Sequence, residues 1–319
     1  MKAIPPKYSL KLKNMKNKVI FIVGPTAVGK SEVAFYLAKK INGEIVSCDS
    51  MQIYKKMGIL TSKPGPSFMK QVKHYLINTV EPTKEYNVSR YTREARAKIK
   101  DIISRGKVPV FVGGTGLYMS MVVDGIFKIK TPDKKIRQRL YKEASVHGSD
   151  YLHARLKKID PEAALKIHPN DAKRLIRALE VFEATGKPIS LLQKQRIGIA
   201  KDYDVRMFCI NLPREDLYER INLRVEKMFK QGLVKEVKRL LKMKLSRTAR
   251  FAIGINELAP FLLGHYDLNS TKEKMKHSTR LYAKRQLTWF RKDKRIKWVE
   301  INKNDKVQKV GKRIWKELF

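Results

Sequence analysis

The chain has 319 residues, 43% of them hydrophobic, and a formal net charge of +40 from 70 Lys and Arg against 30 Asp and Glu. The size allows one large core or two smaller ones; the charge points to a polyanionic partner such as nucleic acid, or else to a general lysine bias with solvated side chains. Cys48 and Cys209 form no CxxC pair, so neither a disulfide framework nor a zinc site is indicated. No apolar run is long enough to span a bilayer, and the basic stretch 1–16, read as a loose tail, lacks the apolar segment of a signal peptide. The composition predicts a cytoplasmic chain with no membrane partner.

Residues 19–23 form an apolar run that predicts a buried strand, and 31–40 predict a helix. Between them, Gly24-Pro25-Thr26-Ala27-Val28-Gly29-Lys30-Ser31 has the full Walker A spacing, in the strand–loop–helix context that the motif requires. Its glycines let backbone N–H groups turn inward, and the helix N-terminus adds positive potential. Lys30 can neutralise phosphate oxygens, and Ser31 can ligate Mg2+. Residues 44–50 predict a second strand running into Asp49-Ser50-Met51-Gln52, and 73–78 a third. A helix is expected over 89–107, then a strand at 108–113 that breaks into Gly113-Gly114-Thr115-Gly116. Helices alternating with short apolar strands imply a parallel sheet with right-handed crossovers and ligands at the carboxyl ends of the strands.

After about residue 125 only helical periods appear until the strand pattern returns at 205–212. The spacing therefore predicts a helical insertion, 126–200, in a split α/β core made of 17–125 and 201–319. Residues 218–241 read as one long amphipathic helix or as two with a break near Gly232, and 295–301 as a last strand.

A nucleotide hydrolase also wants an acidic residue closing a strand beside the cradle, and the 108–113 strand offers none. Asp49, at the carboxyl edge of the sheet, either caps the turn that follows or accepts a proton. Thr115 presents a hydroxyl from a glycine-rich turn, which is otherwise an ordinary strand-to-helix connection. In the helix after Pro169, Leu175, Ala178, Leu179 and Phe182 share a face at about 100° per residue. Lys173 and Arg177 lie opposite, with Arg174 flanking. Such cations, with no acid in view, suit a phosphate backbone or a plain solvated face. Lys284, Thr288 and Arg291 fall on one helical stripe beside Arg285, interleaved with aromatics, a pattern associated with nucleic acid. Arg224, mid-helix, reads on its own as half of a surface ion pair.

Taken in order, "GPTAVGKS", "DSMQIYKKM", "GGTGLY", "HPNDAKRLIRALEVFEATGKP" and "KRQLTWFR" make the chain resemble the tRNA isopentenyltransferase family over about residues 17–300. The resemblance implies a P-loop α/β fold with a helical insertion domain, used without ATP hydrolysis. A dimethylallyl group would pass from dimethylallyl diphosphate to N6 of adenosine 37 in tRNA, with Gly24–Ser31 holding the diphosphate and Ser31 a Mg2+ ion. Asp49 would be the base, Thr115 would contact the target nucleotide and Arg224 would balance the leaving charge. Implied tRNA contacts are Asp49, Ser50, Met51, Gln52, Thr115, Arg137, Lys173, Arg174, Leu175, Ile176, Arg177, Lys284, Arg285, Gln286, Thr288 and Arg291, with the insertion clamping the anticodon stem. Two stretches depart from the family pattern. Residues 252–257 read "AIGINE" where members usually read "AIGYKE", and 58–64 read "GILTSKP" for "DIGTAKP", so that Leu60 replaces a glycine and the loop path is expected to differ. The charge disfavours an isopentenyltransferase acting on free adenylate, and the missing acid disfavours a small-molecule kinase. A non-catalytic RNA binder would leave the cradle, Asp49 and Thr115 without a role. No heptad seam suggests self-association, and a monomer is expected.

Overall fold

The computed structural model describes residues 15, 17–127 and 134–319; apart from Met15 and Asn17, the stretch before the first strand lies outside the described residues. The sheet unit comprises the described residues up to Val123 together with Ile199–Phe319. Its strands are β1 (Lys18–Val23), β2 (Gly43–Ser47), β3 (His74–Tyr75), β4 (Val108–Gly113), β5 (Asp204–Asn211) and β6 (Lys297–Glu300). They form one six-stranded sheet in the order β3-β2-β4-β1-β5-β6, parallel at every pairing. Every residue of β1 and β4 is buried, as expected of apolar runs in the middle of a parallel sheet covered on both faces. The third strand, expected over 73–78, shortens to two residues. Leu76 and Asn78 take positive φ angles of 55° and 56°, which a pleated ladder cannot accommodate.

Around the sheet run α1 (Lys30–Lys40), α2 (Pro66–Gln71), α3 (Val88–Ser104) and α4 (Gly116–Val123). The helical unit, Asp124–Gly198, holds α5 (Lys134–Ile159), α6 (Pro161–Lys166), α7 (Ala172–Thr185) and α8 (Ile189–Lys194). Its own core includes Leu140, Leu152, Leu156, Leu175 and Leu179. The sheet unit then continues with α9 (Arg214–Lys230), α10 (Leu233–Leu241), α11 (Ile255–Leu262), α12 (Leu268–Arg291) and α13 (Val307–Lys316). The stretch 218–241 is two helices, parted at Gly232 with φ 97°.

Period-two alternation along the central strands sorts their side chains onto two cores. Phe21 and Phe111, register partners across β1 and β4, stack at 4.6 Å on one face, in the cluster that also holds Tyr91 and Tyr118. Ile20, Ile22, Val110 and Val112 face the other way, toward Val33 and Leu37 of α1 and Val310 and Ile314 of α13. The pairings Val23↔Gly113 and Ser47↔Val112 level the carboxyl ends of β1, β4 and β2. The three motif loops therefore leave the sheet side by side.

At the opposite end of β2, the Glu44 side chain is 2% exposed. It accepts hydrogen bonds from Arg105 at 2.8 and 2.6 Å, Lys107 at 2.7 Å and the Tyr75 hydroxyl at 2.8 Å. The Arg105 guanidinium, helped by Lys107 and Tyr75 against the opposing effect of burial, holds its carboxyl down to about 2. A carboxylate depressed on folding contributes stability that is present above its unfolded pKa and fades as pH falls toward the folded one. Glu44→Gln is expected to lower the unfolding free energy at pH 7 by about 1–3 kcal/mol, after discounting for the part-exposed Arg105 and Lys107. The difference should shrink as pH drops from about 4.5 to about 2, which urea denaturation across that range checks.

Candidate active site

The phosphate cradle follows from how β1 hands over to α1. Gly29 is the N-cap in a left-handed conformation, φ 94°, and no side chain caps the helix. The first-turn N–H groups are thus available to an anion. Val28 is buried and pins the loop to the core beneath. Lys30 Nζ donates to Pro25 O at 2.5 Å, across the loop it belongs to. Burial, then the charge of Arg224, pull its ammonium down to about 8, with Asp49 opposing. Ala27, Gly29, Lys30 and Ser31 line a cleft of about 880 Å³, to which Lys63, Arg220, Arg224 and Lys227 add cations against the single carboxylate of Glu32. Burial also brings Lys63 down to about 8.

Asp49 stands two residues beyond β2. Its Oδ1 accepts from the backbone N–H of Met51 at 2.9 Å and of Gln52 at 3.2 Å, so it caps the turn. It also lines a second cavity, of about 390 Å³, and no hydrogen bond engages its Oδ2 among the described residues. Capping and proton acceptance are therefore compatible, one oxygen for each. Thr115 is laced to this turn: its Oγ1 accepts from Ser50 N at 3.0 Å, and its own N–H donates to Cys48 O at 3.2 Å. Ser50 and Met51 line the cavity beside Asp49. Gln52 turns inward instead: its side-chain amide accepts from Ser47 Oγ at 3.3 Å and donates to Thr61 O at 3.2 Å.

The cavity combines in its lining the polar Thr26, Asp49 and Arg224 with the apolar Leu60, Val225, Met228 and Met275. Arg224 and Met228, one turn apart on α9, line both it and the cationic cleft. Arg224 makes no salt bridge among the described residues, which corrects the ion pair its sequence context suggests. Burial lowers its pKa, with the fields of Asp49 and Glu32 opposing. A guanidinium held in this way is ready for an incoming anion.

Three contributors escape a motif reading. Tyr282 of α12 lines the cavity, its phenol pushed up by burial and then by the Asp49 carboxylate. Lys63 reaches the cleft from the 58–64 loop. Glu236, 6% exposed, accepts from the backbone N–H groups of Gly58 at 3.1 Å, Ile59 at 3.0 Å and Leu60 at 2.8 Å, fixing that loop against both cavities. A glutamate within the Leu233–Val237–Leu240 apolar stripe of α10 is the signal that could have revealed it.

Gln286, expected to touch tRNA, is 5% exposed and does something else. Its Oε1 accepts from Thr26 N at 2.8 Å, and its Nε2 donates to Gly114 O at 2.9 Å. It thus ties the cradle to the glycine-rich turn after β4. A Cβ on Gly114 would stand 1.9 Å from that nitrogen, so only glycine admits the strut. Gln286→Glu keeps the acceptor but removes the donor and adds a negative charge beside the cradle. We expect it to weaken the binding of inorganic diphosphate by at least about tenfold, through the added negative charge and the Gly114 carbonyl left unpaired, a loss of about 1–3 kcal/mol. Isothermal titration with inorganic diphosphate checks this. On the same helix Lys284, Arg285, Thr288 and Arg291 are exposed, and Phe290 is buried.

In the helical unit, Leu175 and Ile176 are 0% and 1% exposed. They belong to its core, which removes their side chains from any tRNA surface. The cations there also have acids nearby, contrary to the sequence reading. Glu180, at 1% exposure, pairs with Arg137 and with Arg177, each at 2.7 Å, and Arg174 pairs with Asp171 at 3.3 Å. Lys173 is exposed and has no ion-pair partner among the described residues.

This architecture is that of a P-loop-like enzyme, in which a glycine-rich loop lines a cationic cleft and a neighbouring cavity carries the Asp49 carboxylate. The chain belongs to the IPP transferase family, whose model matches residues 52–293. It is similar to the tRNA dimethylallyltransferase of Carboxydothermus hydrogenoformans, 48% identical over 302 residues that cover 94% of this chain and 97% of the relative. To the tRNA dimethylallyltransferase of Thermoanaerobacter sp. it is 45% identical, covering 95% and 98%. Among solved structures it resembles the tRNA isopentenylpyrophosphate transferase of Bacillus halodurans, with TM-score 0.69 at 37% identity over 95% of this chain and 97% of that one. A eukaryotic dimethylallyltransferase acting on tRNA matches with TM-score 0.76 at 32% identity, over 91% and 74%.

Proposed function

We propose that this chain is an enzyme that transfers a dimethylallyl group from dimethylallyl diphosphate to N6 of adenosine 37 in tRNA, releasing diphosphate. The observation that carries this reading is the junction at Arg224, where a cation-lined cleft meets an apolar cavity bearing Asp49. A prenyl diphosphate has that same division, a charged head on a hydrocarbon tail. In the reaction, the bond from the allylic carbon to the diphosphate oxygen breaks and its electron pair leaves with the diphosphate. N6 forms the new bond to that carbon, and its proton passes to Asp49. Lys30, Arg224 and the first-turn N–H groups of α1 balance the charge that grows on the leaving group. Thr115 fixes the turn that presents Asp49. The target base leaves its stack to enter the cavity, as base-modifying enzymes require.

Among the described residues no cluster of His, Cys, Asp and Glu could hold a metal by itself. The Ser31 hydroxyl in the cleft suits Mg2+, an ion that keeps several waters and is held largely by substrate phosphates. Bound there, it would add charge neutralisation at the diphosphate.

The net charge of +40 and the exposed Lys284, Arg285 and Arg291 of α12 support tRNA as the acceptor, as does the exposed Lys173 of the helical unit. No helix among the described residues is long and apolar enough to cross a membrane, and we place the reaction in the cytoplasm, where tRNA is available. Incubation with radiolabelled dimethylallyl diphosphate, Mg2+ and either tRNA or AMP tests the reading, with label expected on tRNA. Label on AMP would favour the free-adenylate transferase, and ATP turnover without transfer the kinase.

A further inference from the structure

We infer that Leu60, backed by Met275, closes the apolar end of the cavity and limits the donor to a single isoprene unit, an inference that rests on the transfer proposed above. Asp49 and Arg224 line the cavity together with the apolar Leu60, Val225, Met228 and Met275, and its volume is about 390 Å³; in the proposed transfer that space takes both the dimethylallyl tail and the incoming adenine. Leu60 lines that space although it is only 6% exposed. It has nowhere to retreat. Its N–H is held by Glu236 at 2.8 Å. Its Cδ1 lies 2.5 Å from where a Cβ on Gly254 would stand, and the Met275 methyl lies 3.3 Å from the same point. Gly254 has φ 106°, and the side chains of Leu60 and Met275 converge over its bare backbone. The loop carrying Leu60 is anchored from α10, so a longer tail cannot push the isobutyl group aside as it could a long unbranched chain. The position is also one of the two stretches where this sequence departs from its family's pattern, a leucine standing for a glycine.

The same bonds break and form with a longer donor: the allylic carbon–oxygen bond is cleaved, the diphosphate leaves with the electron pair, and the N6 proton goes to Asp49. Only the tail differs, so the ratio of kcat/KM for geranyl diphosphate to that for dimethylallyl diphosphate, with tRNA as acceptor, isolates the stop. In a hydrophobic pocket a single methylene is worth about 10–200-fold in such a ratio. Leu60→Ala is expected to raise the ratio at least about tenfold over the wild type, and Met275→Ala to raise it less. Should Leu60→Ala not fold, Leu60→Val and Met275→Ala carry the same comparison, with thermal melts confirming their structure. A wild type that uses geranyl diphosphate as well as dimethylallyl diphosphate would overturn the inference, and so would folded variants that keep the wild-type ratio. A wild type that transfers neither group would remove the proposed function and this inference with it. Dimethylallyl transfer with an unchanged ratio in the variants would remove the inference alone.

Discussion

Asp49→Asn is expected to slow single-turnover prenyl transfer by on the order of 10²–10⁴-fold, the usual contribution of a positioned general base, while tRNA affinity changes little. The asparagine is the informative variant because the proposed mechanism adds a second duty, proton acceptance, to the turn-capping that Asp49 performs. Its Oδ1 accepts from Met51 and Gln52, and an amide oxygen can continue to do so. What the amide cannot do is take the N6 proton. Asp49→Ala removes both, and should abolish turnover while loosening the turn to which Thr115 is bonded. Filter binding of tRNA alongside transfer rates separates the two effects. Transfer by the asparagine variant within tenfold of wild type would strip Asp49 of its role as base.

Lys30→Ala should cost about 10²–10³-fold in kcat/KM for the diphosphate, as expected for losing one preorganised charge at a developing anion. The pH dependence has a definite sign. Burial and Arg224 bring Lys30 down to about 8 in the free protein. In the proposed transfer it is the charged form that grips the phosphate, so kcat/KM should fall as pH rises through about 8. Bound diphosphate favours the ammonium, which places the corresponding limb of kcat at higher pH. Lys30→Arg keeps a charge that does not titrate in this range, and should move or erase the alkaline limb even where its activity is lower. Stability runs the other way. Because the folded pKa lies below the ordinary value of 10.5, the unfolded chain holds the extra proton between about pH 8 and 10.5, and Lys30's contribution to stability rises with pH there.

Much of this was legible in the sequence because the signals were local. The apolar runs at β1 and β4 are buried along their whole length, and the Walker A spacing lies between a strand and a helix as the pattern requires. What escaped depended on partners distant in the chain. Arg137 and Glu180 are 43 positions apart, and the Glu236 contact to Gly58 spans 178; the sequence around each residue does not name its partner, although Glu236 interrupts the apolar stripe of its own helix. Leu175, Ile176 and Gln286 were misplaced for a different reason. A motif reads as a continuous string, but a helix turns successive residues about 100° apart, so a basic stretch necessarily includes inward-facing positions. The third strand failed where two residues with positive φ ended the ladder.

The Gln286 strut has a consequence for how the protein is made. The cradle is translated early, yet its tie to Thr26 arrives 260 positions later. β1, moreover, receives β5 as a neighbour only once the helical unit has been synthesised. Closing such long separations makes folding slow and leaves incomplete chains with unpaired strand edges. Ribosome-bound chains arrested before residue 286 should therefore carry the anion-binding loop without its competent shape, gaining it only near the end of synthesis.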